Sequence, residues 1–282
     1  MVLTAHLEPR TPTLVVACEI FEDELRHVLA NLEARNPEQS PAASPPQAPQ
    51  VVWVESGLHD VPDNLRGRLQ GLIDQIDEAV DSRLPTVTLG GIHPGRGEAA
   101  RRRELVAVQT PNDILLAYGF CGYSLAGLSS RSCRLVFPRV DDCVHLFLNH
   151  GGSREEVVRD AHAFYLTKGW LTHDNFMLDS YESWDAQYGP ERARRLREAY
   201  LKGYERLTLI DTRAYETPVW QERMRGMAQH LELDYETVPG STKLLERLLT
   251  GPWDREIVVI DPGRPIHVRD LLFHSGQAPT AG

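Results

Sequence analysis

Ile114-Leu115-Leu116-Ala117-Tyr118-Gly119-Phe120-Cys121-Gly122 decides the fold class. ILLA is a short, continuously apolar run, the pattern of a central strand covered on both faces, and YGFCG follows it as a turn. Similar runs recur on either side. Thr13–Ala17 (TLVVA) leads into Cys18 and a helical pattern over 19–34, with Phe21, Leu25, Val28, Leu29 and Leu32 at helical spacing. Val51–Val54 (VVWV) precedes a second amphipathic stretch, 65–80, and Arg134–Phe137 (RLVF) precedes Pro138 and a helix opened by Asp141, Asp142 and Cys143. Strands alternating with helices predict an α/β fold: mostly parallel sheets with helical crossovers, as Rossmann-like lobes around a central cleft.

Further elements are predicted beyond this block. Thr86–Leu89 reads as a strand, the Gly-rich stretch GGIHPGRGEAARRRE after it as a mobile loop, and 181–206 as one long polar helix. LTLI at 207–210 and EIVVI at 256–260 read as strands, with helices over 218–231 and 242–249. Residues 36–50, NPEQSPAASPPQAPQ, are rich in Pro, Ala, Ser and Gln and read as an exposed insertion without a packed element. Three lobes follow: 1–112 with this insertion, 113–206 with the long helix, and 207–282.

Composition narrows the class. At 282 residues, 41% hydrophobic and 25% charged, the chain has the make-up of a globular protein. A formal net charge of -10 argues against a nucleic-acid backbone or an anionic membrane as partner. No signal-peptide pattern and no apolar run of about 20 residues is present, so a cytoplasmic location is expected. Four cysteines without close pairs point to free thiols or metal ligands rather than a disulfide framework.

Ligand sites of parallel sheets gather at the carboxyl ends of strands. Cys18, Cys121 and Cys143 all fall at such ends, whereas Cys133 precedes its strand and belongs to the opposite edge. Three thiolates can hold a four-iron, four-sulfur cluster (4Fe-4S) with one open iron, or a zinc ion with one open position. The same residues can equally be small core hydrophobes. Arg139 is a candidate to orient a substrate anion and Asp142 a candidate acid or base, with helix capping as the alternative. His145 and His150 read as helix-face residues, YLTKGW at 165–170 as a turn that can wall a pocket, and Asp211 and Asp261 as lobe-interface groups or strand terminators. No serine-hydrolase order, HExxH helix or CxxxCxxC run is present.

YGFCG at 118–122, LVFPRVDDC at 135–143 and YLTKGW at 165–170 resemble, in that order, the family catalogued as domain of unknown function 1638. The similarity extends to Cys18-Glu19, to LIDT at 209–212 and to LLERLLTGPWD at 244–254; the Pro-rich insertion and 86–112 depart from the pattern. The family carries no settled activity, but its pattern includes the cysteines matching Cys18, Cys121 and Cys143, which implies a shared metal site. Its members' occurrence among anaerobes and methylotrophs with corrinoid methyltransferases implies a corrinoid or methyltransferase protein as a possible partner. The leading expectation is an iron–sulfur enzyme acting on a small polar or sulfur-containing substrate. The alternatives are a non-enzymatic carrier in corrinoid methyltransferase metabolism and a zinc-thiolate alkyl transferase.

Overall fold

A computed structural model describes residues 8–35, 49–93, 103–172 and 181–272. The five-stranded main sheet is built from β1 (Thr13–Cys18), β2 (Gln50–Val54), β5 (Asp113–Ala117), β6 (Arg134–Pro138) and β10 (Ile257–Ile260), in the order β10-β6-β5-β1-β2. β1 runs parallel to β2 and β5, β5 parallel to β6, and β10 antiparallel to β6. Every residue of β5 and β6 is buried, as their uninterrupted apolar runs require of strands covered on both faces. Helix α1 (Glu22–Arg35) follows β1. Helix α2 (Pro62–Asp81) follows β2, with Pro62 at its first turn and Leu65, Leu69, Leu72, Ile73 and Ile76 turned inward.

β3 (Thr86–Ile92) and β4 (Arg103–Gln109) form a separate antiparallel pair. The ends of the Gly-rich stretch therefore lie in strands: Gly90, Gly91 and Ile92 in one, Arg103 and Glu104 in the other. Most of the Pro-rich segment, residues 36–48, lies outside the described residues, but Gln50 belongs to β2.

After α3 (Cys143–Leu148), a second sheet takes over. It consists of β7 (Ala163–Leu166), β8 (Arg206–Asp211) and β9 (Asp234–Pro239), all parallel, with helix α7 (Thr217–Leu231) crossing between the last two. Leu166, Leu171, Leu207, Leu209, Trp220 and Met224 form its core. Helix α4 (Lys168–Thr172) connects it to the main sheet. The single helix expected over 181–206 is two, α5 (Tyr181–Tyr188) and α6 (Pro190–Tyr200). Gly189 at φ 76° and Pro190, which has no N–H to continue the first helix, make the break.

Helix α8 (Lys243–Thr250) sends Leu244, Leu245, Leu248 and Leu249 into the core of the main sheet, which β10 then joins ahead of α9 (Val268–Leu272). Sheet membership does not follow the expected lobe limits. β5, beyond the 112/113 limit, pairs with β1, and β7, before the 206/207 limit, pairs with β8. The architecture is α/β with mostly parallel strands.

Candidate functional site

β1, β5 and β6 are neighbours and parallel, so their carboxyl ends share one edge. Cys18 is the last residue of β1, Cys121 follows β5 by four residues, and Cys143 opens α3 just after β6. Two backbone hydrogen bonds bring the latter two together: Phe120 N–H donates to Val140 O at 2.9 Å and Cys121 N–H to Asp141 O at 2.8 Å. Phe21 and Phe147 draw the first and third cysteine segments together, edge to face at 5.1 Å between ring centroids.

The turn at Cys121 is left-handed over three consecutive residues: Cys121 at φ 43°, Gly122 at 63° and Tyr123 at 69°. A non-glycine residue there costs on the order of 1–2 kcal/mol, and such strain concentrates at ligand and active sites. Ser124 pins the turn by donating both its N–H and Oγ–H to Cys121 O, at 3.2 and 2.6 Å. On the other flank, the buried Glu19 Oε1 accepts from Ser56 N–H and Oγ–H at 2.8 and 2.7 Å, tying the ends of β1 and β2 together.

The three thiols converge. Cys18, Cys121 and Cys143 line one cavity of about 250 Å³, together with Tyr118, Glu55, Asp142 and Trp170. Gly169 lets the last of these reach it, because a Cβ on Gly169 would stand 1.9 Å from Ile20 O and would push α4 off the β1 end. Trp170 then meets His59 edge to face, 5.8 Å between centroids.

Burial pushes all three thiols up in pKa. Cys18 and Cys143 are raised further by the neighbouring cysteines, and Cys121, pushed up to about 12, by Asp142. Opposing this, the neighbouring backbone at Ile20, Gly119 and Val144 lowers the pKa of Cys18, Cys121 and Cys143 in turn, by less than burial raises it. The amides of Ile20 and Val144 belong to first helical turns, where no intrahelical acceptor exists. Cys133 differs. It sits at the opposite edge, and its Sγ donates to Pro111 O at 3.2 Å, the bond of a neutral thiol.

Tyr118, only 2% exposed, has no hydrogen-bond partner for its hydroxyl among the described residues. A buried hydroxyl left unpaired costs on the order of 1–3 kcal/mol. Burial raises its pKa, and Cys18, Cys121 and Glu55 add to the effect. Sequence reasoning passed over Tyr118, although its place between β5 and Cys121 in YGFCG is the signal that could have pointed to it.

Asp142 lines this cavity and an adjoining one of about 500 Å³, which shares Val144 and Trp170 as well. Its Oδ1 caps α3 by accepting from His145 N–H at 2.8 Å, and its Oδ2 accepts from Arg159 Nη1 at 2.7 Å. Arg159, which the sequence did not single out, lines the larger cavity. Arg139 is a correction to expectation. Its buried guanidinium is on neither cavity wall and donates to the carbonyls of Arg255 at 2.6 Å, Asp270 at 2.7 Å and Leu271 at 3.2 Å. It fastens the C-terminal segment rather than facing a ligand. His145 is buried beside Asp141, its Nδ1 3.2 Å from Oδ2, while His150 is exposed.

Among the described residues, no three or more His, Cys, Asp or Glu side chains are arranged to hold a metal ion. The thiols share a cavity without closing on a point. No helix among the described residues is long and apolar enough to cross a membrane.

A family model described as "Protein of unknown function (DUF1638)" matches residues 99–249, a little over half of the chain. No curated protein matches. No solved structure matches either.

Proposed function

Since the chain belongs to the DUF1638 family, whose description assigns no activity, we propose from the cavity alone that Cys18, Cys121 and Cys143 hold a metal centre, an iron–sulfur cluster with one open iron, for an enzyme acting on a small polar or sulfur-containing substrate. The observation that carries this reading is the convergence of three thiols from three strand ends on one cavity.

The donor set fits such a group. Buried thiols that raise one another's pKa gain from a positive partner, and a bound metal supplies one, holding sulfur as thiolate. A single zinc ion fits less well, because its ligands must stand about 2.3 Å from one point, and the thiols are not gathered that tightly. A cluster carries its irons on separate corners, so its ligands stand further apart.

When bound, an open iron supplies Lewis-acid chemistry toward a substrate oxygen or sulfur. The chain's own residues bind and orient. Arg159 on the larger cavity offers a guanidinium to a substrate anion, the role expected of Arg139, and Asp142 at the border holds that guanidinium in place. Trp170 and Phe164 give the larger cavity apolar walls.

Anaerobic purification or reconstitution with iron and sulfide tests the reading: about four irons and four sulfides per chain and a broad visible absorption are expected. A chain that stays colourless and metal-free after reconstitution overturns it. A carrier serving a corrinoid or methyltransferase protein would use the same thiols, and turnover of a substrate by the isolated protein separates the enzyme from the carrier.

A further inference from the structure

On the cavity wall, two polar atoms are buried without a hydrogen bond among the described residues, Glu55 Oε2 and the Tyr118 hydroxyl, and of the two residues Tyr118 is the one almost wholly inaccessible, at 2% exposed. The neighbouring side chains explain why no protein partner is at hand. Glu55, also on the cavity wall, has its carboxylate turned toward Arg68, whose Nε lies 3.6 Å from Oε2, and no hydrogen bond joins the phenol to any of the three sulfurs. A tyrosine is placed here although phenylalanine would fill the same volume without stranding a hydroxyl. Evenly packed cores avoid that arrangement, and sites that receive a ligand accept it, because the ligand supplies the missing partner.

The hydroxyl is also fixed in position. Tyr118 follows β5 directly, its N–H donates to Leu116 O at 2.9 Å, and the next residues are zippered to 140–141, which holds its backbone in place while the side chain stays buried. Whatever bonds to it must enter the cavity.

We propose that Tyr118 donates its phenolic O–H to the group held by the three cysteines, the acceptor being a sulfide or another anionic atom of that group. Tyr118 is then a fourth contact to the bound centre, made by hydrogen bonding instead of coordination. This inference rests on the metal-centre reading above and names a residue that the reading did not require. A hydrogen bond to a cluster sulfur stabilises the more negative, reduced state, and so raises the reduction potential.

Tyr118→Phe is the test, measured on the full chain in both metal-free and anaerobically reconstituted forms. Metal-free Tyr118→Phe is expected to unfold in urea at the same or a higher midpoint than wild type, since it loses a stranded hydroxyl. Reconstituted Tyr118→Phe is expected to keep the iron and sulfide content of wild type while its midpoint potential falls. Wild type that binds metal and a variant with unchanged potential overturn the assignment of Tyr118 but leave the metal centre standing. A metal-free variant that unfolds at a lower midpoint than wild type also overturns it, because the hydroxyl would then have a partner within the chain. Wild type that takes up no iron overturns both.

Discussion

A Cβ on Gly119 would stand 2.4 Å from Asp142 Cα and 2.7 Å from Asp142 N. Glycine at this position lets the loop after β5 lie directly on the loop after β6, and that contact is what delivers Cys121 and Cys143 to the same cavity. Gly169 performs the equivalent service for α4 against the β1 end.

Gly119→Ala is therefore expected to separate the two loops and to cost about 1–3 kcal/mol, with loss of metal uptake. Gly67, in an exposed stretch of α2, has nothing within 4 Å of a Cβ, and Gly67→Ala is expected to stabilise by about 0.5–1 kcal/mol. Urea unfolding of both variants, beside wild type, gives the two opposite signs.

At the other edge of the sheet, Asp113 and Arg134 form a buried two-pronged ion pair, with both contacts at 2.7 Å and side chains 0% and 4% exposed. Removing one partner leaves the other charge buried and unpaired. Asp113→Ala is expected to cost about 3–5 kcal/mol while leaving iron stoichiometry per folded chain unchanged. Unfolding and metal analysis of the same preparation check both halves.

Glu24 supplies a pH signature. Burial, opposed by its own backbone amide and by Thr212, raises its carboxyl from 4.5 to about 7. The folded state binds the proton more tightly than the unfolded chain, so the stability this group contributes is full below about pH 4.5 and is lost as pH rises through about 7. The loss is on the order of 3 kcal/mol. Unfolding midpoints across this window should decline less steeply in Glu24→Gln than in wild type.

Arg139→Lys separates fastening from ligand binding. Lysine cannot reproduce a guanidinium fork that reaches three carbonyls, so stability should fall by roughly 1–3 kcal/mol. Metal content and ligand affinity should hold. An affinity loss without a stability loss would return Arg139 to the site.

The strands β1, β5 and β6 were legible because a strand buried on both faces has to be an uninterrupted apolar run, and their shared edge followed from parallel topology. The direction of β10 was not legible: IVVI announces burial but not its partner, and it closes the main sheet antiparallel to β6. β9 was missed because DYETVP is a partly exposed strand at the sheet's edge with two acids and a proline, a composition that reads as loop. Of the candidate site, the thiols could be placed by strand ends. Arg139 could not, since whether an arginine meets a ligand or three carbonyls depends on residues 255–271, far along the chain. The stranded hydroxyl of Tyr118 became visible only with burial in hand.

The most direct measurement is iron and acid-labile sulfide per chain, under anaerobic reconstitution, in Cys18→Ser, Cys121→Ser, Cys143→Ser and Cys133→Ser. Loss in each of the first three, with wild-type content in Cys133→Ser, is the predicted result. Equal content in all four, or loss in Cys133→Ser alone, would contradict a metal centre held at the shared edge of β1, β5 and β6.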